Sequence, residues 1–325
     1  MSTDWKQRPE GGGRFAIWLI RTIARYGGRA VARLLLYPIT AYFVLVRGPE
    51  RRASQAFLQR ALGRPAGWTD GFRHVHSFAA TILDRVFMLS GQLERFDITI
   101  DGVDAVHAQL DRGQGVLMFG SHLGSFEVMR VLGCRRPGLK VRVVFDRGHN
   151  AAVTQLLEAL DPQMAATVID AAQDGPSIVF AIKQALDEGA LVALLVDRAR
   201  PGEPTVQAPF LGSPAPFPVA PWLIAAALKV PVMLAFGLYR GGRRYELAFE
   251  LFSAGLDIGR HNRAQALPAV VHDYAARLQA RTLAAPYNWF NFYDFWQTDD
   301  ANDPACDPAG DAHGAGREPA GRRPA

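Results

Sequence analysis

Two hydrophobic rhythms divide this 325-residue chain. Residues 1–13 carry three glycines in a row and predict a loose leader. From 14 to 95 the apolar residues recur at helical spacing, as in RASQAFLQRAL (Arg52–Leu62) and FRHVHSFAATILDRVFMLSG (Phe72–Gly91). The period then changes. RFDITIDG alternates like a strand, AVHAQLDRGQ reads as a short helix and GVLMFG as a buried strand. VRVVFD, ATVIDA, ALVALLVD, PVMLAFGLYR and RYELAFELF follow as strands. Between and after them, AAVTQLLEAL, SIVFAIKQALDEG, APWLIAAALKV and PAVVHDYAARLQARTLAAP read as helices. The stretch Ala208–Trp222, rich in Pro, Gly and Phe, reads as a loop leading into a helix. Strands alternating with helices of this length predict an α/β fold over 96–297, with a mixed, mostly parallel central sheet flanked by helices on both faces. From 298 to 325 Asp, Pro, Ala, Gly and Arg dominate, which predicts a disordered tail.

The first helical stretch has its own pattern. In FAIWLIRTIARYGGRAVARLLLYPITAYFVLV the longest uncharged run, Leu34–Val46, has thirteen residues, short of the roughly 20 that a spanning helix needs. Arg21, Arg25, Arg29 and Arg33 recur every four residues, with Arg14 on the same stripe. Leu19, Ile20, Ile23, Val31 and Leu34 fall opposite them. Two readings fit: an amphipathic helix lying in a membrane interface with its basic face toward anionic lipid, or one packed on the protein's own core. The membrane surface is the preferred partner. Gly27-Gly28 is expected to break this helix and Pro38 to kink it. Arginines interrupt the segment and no cleavage site follows it, so it does not read as a signal peptide.

Composition narrows the partners. The chain is 49% hydrophobic with a net charge of +5 and a pI near 9.4. That excess suits phospholipid head groups, an acidic carrier protein or nucleic acid. Nucleic acid is the weakest of these, because the cations cluster in an apolar segment and in the tail, with no recognised binding module. Cys134 and Cys306 are the only cysteines. They provide neither a disulfide framework nor a thiolate metal site, and point to a reducing compartment.

Candidate chemistry sits at strand ends, where open α/β sheets bind ligands. In VLMFGSHLGSFEVMR (Val116–Arg130), His122 follows a strand and Glu127 lies five residues on. Mid-helix the two would point about 140° apart. They converge if His122 sits on the loop and Glu127 in the first turns of a helix. Glu127 could then accept the Nδ1 proton and hold the tautomer of a general base. From spacing alone a structural histidine is the preferred reading. A nucleophile elbow at Ser121 or Ser125 is not indicated, since Phe119 and Leu123 occupy glycine positions of that motif. No H-E-x-x-H zinc motif occurs. A second strand end carries Asp197, Arg198 and Arg200. Asp197 can orient an arginine or cap the loop, and the arginines can bind phosphate or form surface ion pairs. Arg147, His149 and Asn150 follow another strand. His74 and His76 read as packing or surface residues. The aromatic run Pro286–Trp296 reads either as core or as the lip of a lipid cleft.

Taken in order, SHLGSFE, LLVDR, PFLGSPAPFPVAP and PYNWFNFYDFW resemble the lysophospholipid acyltransferase superfamily, and within it the bacterial lipid A biosynthesis (lauroyl/myristoyl) acyltransferases. The likeness runs from about Phe15 to Trp296. It implies that His122 is the general base and Glu127 its orienting carboxylate. It also implies that Asp197 and its neighbours line the same cleft, with Phe210 and Gly212 in a PF-x-G turn. The implied reaction is direct transfer of a fatty acyl chain from an acyl carrier protein or coenzyme A thioester to a hydroxyl or amine of a lipid or glycolipid. The amides near Gly124 and Ser125 are candidate oxyanion donors, and no metal or organic cofactor is required. The implied location is the cytoplasmic face of a bacterial inner membrane. Departures from the family pattern, such as Arg198 after Asp197 and Phe217-Pro218-Val219-Ala220-Pro221 after the turn, point to a side branch with its own acceptor. A glycolipid or a lipid-linked polyene would fit. The competing reading is a non-catalytic lipid-binding or assembly protein that keeps the fold.

Overall fold

In the computed structural model the backbone is described for residues 14–296 apart from 131, 133–135, 137, 149, 150 and 201. Side chains are described from residue 28 on, apart from those of 130, 151–153, 156, 163 and 164. The expectations for the leader, the tail, Cys134, Cys306, His149, Asn150 and the side chains of Arg14, Arg21 and Arg25 therefore lie outside the described residues.

Three helices come first: α1 (Arg14–Val46), α2 (Gly48–Leu62) and α3 (Trp68–Leu89). The break in α1 falls at Gly28, whose φ of 70° lies in the region that glycine adopts without penalty. Pro38 sits inside the helix beyond it, and Gly28 is the residue with non-helical backbone angles. Ala32, Leu36, Thr40 and Val44 recur every four residues and are buried, and this stripe lies on the α1 side that packs against α3. Arg29 and Arg33 also turn inward. Arg29 forks onto the fully buried Asp84 of α3 at 2.7 and 2.9 Å, and Arg33 bonds the Tyr239 hydroxyl at 2.7 Å. The expected orientation is thus corrected for these two arginines. A buried carboxylate needs cationic partners, and Asp84 takes them from α1. The outward face of α1 is left to Val31, Leu34, Leu35, Tyr37, Tyr42, Leu45 and Val46.

The remaining elements are β1 (Asp97–Asp101), α4 (Val103–Leu110), β2 (Val116–Gly120), β3 (Val141–Phe145), α5 (Ala151–Leu160), α6 (Pro162–Ala165), β4 (Ile169–Asp170), α7 (Gly175–Asp187), β5 (Leu191–Leu195), β6 (Thr205–Phe210), β7 (Ser213–Pro218), α8 (Ala220–Leu228), β8 (Val232–Tyr239), β9 (Arg244–Ser253) and α9 (Arg263–Ala284). Seven strands form one sheet in the order β1-β9-β8-β2-β5-β3-β4. The run β8 to β4 is parallel, and β9 with β1 runs the other way. The central strands β2 and β8 are buried along their whole length, as expected where helices cover both faces. This agrees with the mixed, mostly parallel sheet read from the sequence.

The stretch read as a Pro/Gly/Phe loop is instead an antiparallel hairpin, β6 with β7. Leu211 and Gly212 form its two-residue turn with φ of 49° and 83°, the double positive φ of a type I′ turn. That turn makes Phe210 and Ser213 a hydrogen-bonded pair, and the pairs then alternate. Pro209, Pro214, Pro216 and Pro218 all fall in the alternate pairs, where no backbone donor is needed. A two-residue rhythm of prolines is therefore compatible with this ribbon, although proline clusters ordinarily signal a loop.

Candidate active site

β2 and β5 are neighbours, with Gly120 opposite Leu195. Two residues past each lie His122 and Asp197, so the sheet register carries on into the loops and brings the two side chains together. Nδ1 of His122 lies 2.8 Å from Oδ1 of Asp197, and the His122 backbone amide donates to Oδ2 at 3.0 Å. The indole N–H of Trp289 donates to the same oxygen at 3.0 Å. Asp197 is fully buried. Burial alone would push its carboxyl up. The charge and hydrogen bonds of His122, with the charge of Arg198, overcome that and hold it well below the usual carboxylate range. The His122 side chain remains 37% exposed, leaving Nε2 as the ring nitrogen without an intramolecular partner among the described residues.

The carboxylate that meets Nδ1 is thus Asp197, and the expected His122–Glu127 pairing is corrected. The chain from His122 to Ser125 is a non-helical loop with isolated bridges at Leu123 and Gly124, and a 3₁₀ turn begins only at Phe126. Glu127 points to α3, where its carboxylate lies 2.6 Å from Arg85 Nε. It also accepts the Ser125 hydroxyl at 3.1 Å. The expected oxyanion amides are also engaged: Gly124 N–H bonds the Asn288 carbonyl at 2.8 Å and Ser125 N–H the Gly237 carbonyl at 2.7 Å. Gly124 has a φ of 81°, and a Cβ there would lie 2.0 Å from the Gly237 carbonyl oxygen. Only glycine fits this loop-to-strand contact.

The other expected site residues spread along the same sheet edge. Arg198 works inward, donating to the Phe290 carbonyl at 2.6 Å and lying 3.9 Å from Asp197. Arg200 bonds the Ala171 carbonyl at 2.8 Å and stands 3.7 Å from Asp146. Arg147, at the end of β3, bonds the Ala165 carbonyl at 3.2 Å and lies 3.7 Å from Glu158. Phe210 and Gly212 are corrected as substrate contacts. Phe210 is fully buried, its ring 5.1 Å from that of Trp289, and Gly212 supplies the hairpin turn. Both support the wall behind Asp197. Among the described residues no three of His, Cys, Asp or Glu converge as a metal site.

Sequence reasoning missed the role of the segment after α9. Tyr287 bonds Asp70, Trp289 bonds Asp197, the Phe290 amide bonds the His122 carbonyl and Trp296 bonds the Phe210 carbonyl. This aromatic run is core, with polar bonds to both members of the His–Asp pair. His74 belongs to the same network and is wholly buried. Its Nδ1 lies 2.7 Å from the Ser54 hydroxyl and its Nε2 2.9 Å from the Trp289 carbonyl. Burial pushes this ring down to about 4.

Comparison with known families places the chain. The family model of bacterial lipid A biosynthesis acyltransferases matches residues 73–291, more than half of the chain, including β2, β5 and the aromatic segment as far as Asn291. No curated relative matches.

Proposed function

Because the chain belongs to the bacterial lipid A biosynthesis acyltransferase family and is therefore an acyltransferase, we propose that His122, oriented by Asp197, is the general base that transfers a fatty acyl chain to a lipid or glycolipid acceptor. One observation carries this reading. The imidazole is fixed through Nδ1 by a buried carboxylate at 2.8 Å, while its other edge faces open space at the carboxyl end of the sheet. With Nδ1–H donated to Asp197, Nε2 carries the lone pair. It takes the proton of the acceptor hydroxyl or amine. The acceptor atom bonds to the thioester carbonyl carbon of an acyl carrier protein or coenzyme A donor. Collapse of the tetrahedral adduct breaks the C–S bond, and the proton on Nε2 passes to the leaving thiolate. No nucleophile of the protein is needed.

Glu127 holds the turn that carries His122. It ties Ser125 to Arg85 of α3, and so the catalytic loop to the N-terminal helices. Arg198, Arg200 and Arg147 follow the neighbouring strands β5 and β3 at the carboxyl end of the sheet, and their charge suits donor phosphates. The exposed apolar face of α1 supports a reading in which the enzyme works at a membrane surface, the cytoplasmic face of the inner membrane. The run Gly28–Val46 is apolar and long enough to cross a membrane, but Arg29 and Arg33 tie it to the body, which favours a helix lying along the interface.

The test is acyl transfer by the purified full chain from labelled acyl carrier protein and acyl-coenzyme A to a panel of glycolipid and lipid acceptors. His122→Ala is expected to lower turnover by about 10²–10⁴-fold, the usual contribution of a general base, with an unchanged circular dichroism spectrum. Turnover insensitive to this change would overturn the assignment. A wild-type protein that binds the lipids yet transfers nothing would favour the non-catalytic alternative.

A further inference from the structure

Beside the His122 loop, between α1, α3 and the β8–β9 turn, lies a cleft of about 470 Å³ that the transfer chemistry does not use. Arg33, Arg73, Arg240, His76, Tyr37 and Tyr239 line it. We propose that this cleft binds the phosphate-bearing headgroup of a membrane amphiphile, with Arg33 and Arg73 as the anion ligands. The proposal rests on the reading of α1 as the membrane face and does not depend on the role of His122.

Three observations carry it. The first is charge. Arg29 and Arg33 share the single carboxylate of Asp84, and Arg240 is matched by Glu246 at 2.9 Å. Arg73 stacks on the Tyr287 ring at 4.3 Å and has no carboxylate partner among the described residues. Three guanidinium groups line the cleft, and the neighbouring Arg29 brings the local count to four against two carboxylates. Such an excess around one concavity attracts an anion, and planar guanidinium forks suit phosphate. Burial and the charge of Arg33 also push the His76 ring down, so the positive potential is felt inside the cleft.

The second is an unmet donor. Nη1 of Arg33 is buried without a hydrogen-bond acceptor, and its contact with Asp84 is 3.9 Å long. A buried donor of this kind calls for a partner, and its guanidinium belongs to a residue that lines the cleft, where an anion can draw it outward.

The third is position. Tyr37, in the cleft wall, also belongs to the exposed apolar face of α1, beside Val31 and Leu34. A ligand with its anion between the arginines would have apolar surface beside it for alkyl chains. The cleft also opens on the reactive edge of the sheet. β8 runs parallel to β2, so Tyr239 ends on the same side as His122. Gly124 bridges Gly237, and Asn288, which lines the cleft, accepts the Gly124 amide through its carbonyl.

The test is calorimetric titration of the detergent-solubilised full chain with dioctanoyl phosphatidic acid, dioctanoylglycerol and inorganic phosphate. Saturable binding of the phosphatidic acid is expected, weakened at least tenfold in Arg73→Gln and in Arg33→Gln. The exposed control Arg260→Gln and the inactive His122→Ala should bind like wild type. Binding retained by His122→Ala while transfer is lost keeps this site separate from the chemistry, and loss of binding with transfer intact would refute this site alone. If Arg33→Gln melts early, Arg73→Gln decides. Dioctanoylglycerol binding as tightly as phosphatidic acid, or unchanged affinity in Arg73→Gln, overturns the proposal. Inorganic phosphate matching the lipid overturns the amphiphile and leaves a soluble-anion site.

Discussion

The Asp197 carboxylate accepts three N–H donors from two distant parts of the chain, and that arrangement makes its charge part of the proposed mechanism. Asp197→Asn keeps the shape and removes the charge that steadies a protonated His122. Turnover is expected to fall by about 10²-fold or more, with KM nearly unchanged, in steady-state kinetics on the folded variant. His74 leads to a separate expectation about stability. Its ring titrates near 4 when folded and near 6.5 in an unfolded chain. Between those values the unfolded state binds more protons, so stability falls as pH drops through this window. The full linkage is roughly 3 kcal/mol, complete only below about pH 4. Urea denaturation at pH 7 and at pH 5 should show this slope in the wild type and a flatter one in His74→Gln. That variant should also lose about 1–3 kcal/mol at pH 7 through broken buried hydrogen bonds. His122 was legible because it follows a buried strand in a recognisable motif. Its partner was not, because H-x4-E offers a nearby carboxylate while the true neighbour lies 75 residues away, reached only through the strand order. Trp289 carried no signal beyond an indole in an aromatic run.

At the level of elements, the loop after β2 works because two glycines face each other. A Cβ on Gly124 would press on the Gly237 carbonyl, and one on Gly237 would lie 2.1 Å from the Ser125 carbonyl oxygen. Gly124→Ala also forces an unfavourable φ and should cost more than about 1 kcal/mol. The displaced loop moves His122, so activity should fall by more than the stability loss explains. Kinetics measured well below the variant's melting temperature separate the two effects. Most strands and helices were legible from their periods, because burial of both sheet faces leaves unbroken apolar runs such as VLMFG and VMLAF. The β6–β7 hairpin was hidden, since proline carries a strong loop signal and its safety in a strand depends on pairing phase. Phe210 and Gly212 are recognisable in the sequence for the same motif that misled the reading: they build the wall and turn behind the site.

At the scale of the whole molecule, the proposed meeting with lipid rests on α1. The arginine rhythm suggested electrostatic docking, but Arg29 and Arg33 are turned toward Asp84, and Leu34 and Leu45 are each 68% exposed. Periodicity alone could not choose between these orientations, because the buried acid that selects one lies on another helix. A leucine moved fully from water into lipid contributes about 1.5–3 kcal/mol, and an aspartate there is strongly disfavoured. Leu34→Asp with Leu45→Asp should therefore release the protein from anionic liposomes in flotation assays. Its melting temperature in detergent should remain near wild type, since neither side chain packs in the core. Salt provides the sharper discrimination. Surface charge attraction is screened within about 10 Å at 0.1 M salt and about 3 Å at 1 M, whereas apolar contact persists. Wild-type protein should stay with the liposomes in 1 M sodium chloride; release by salt alone would mean that a basic face, not the leucine face, holds the enzyme to the bilayer.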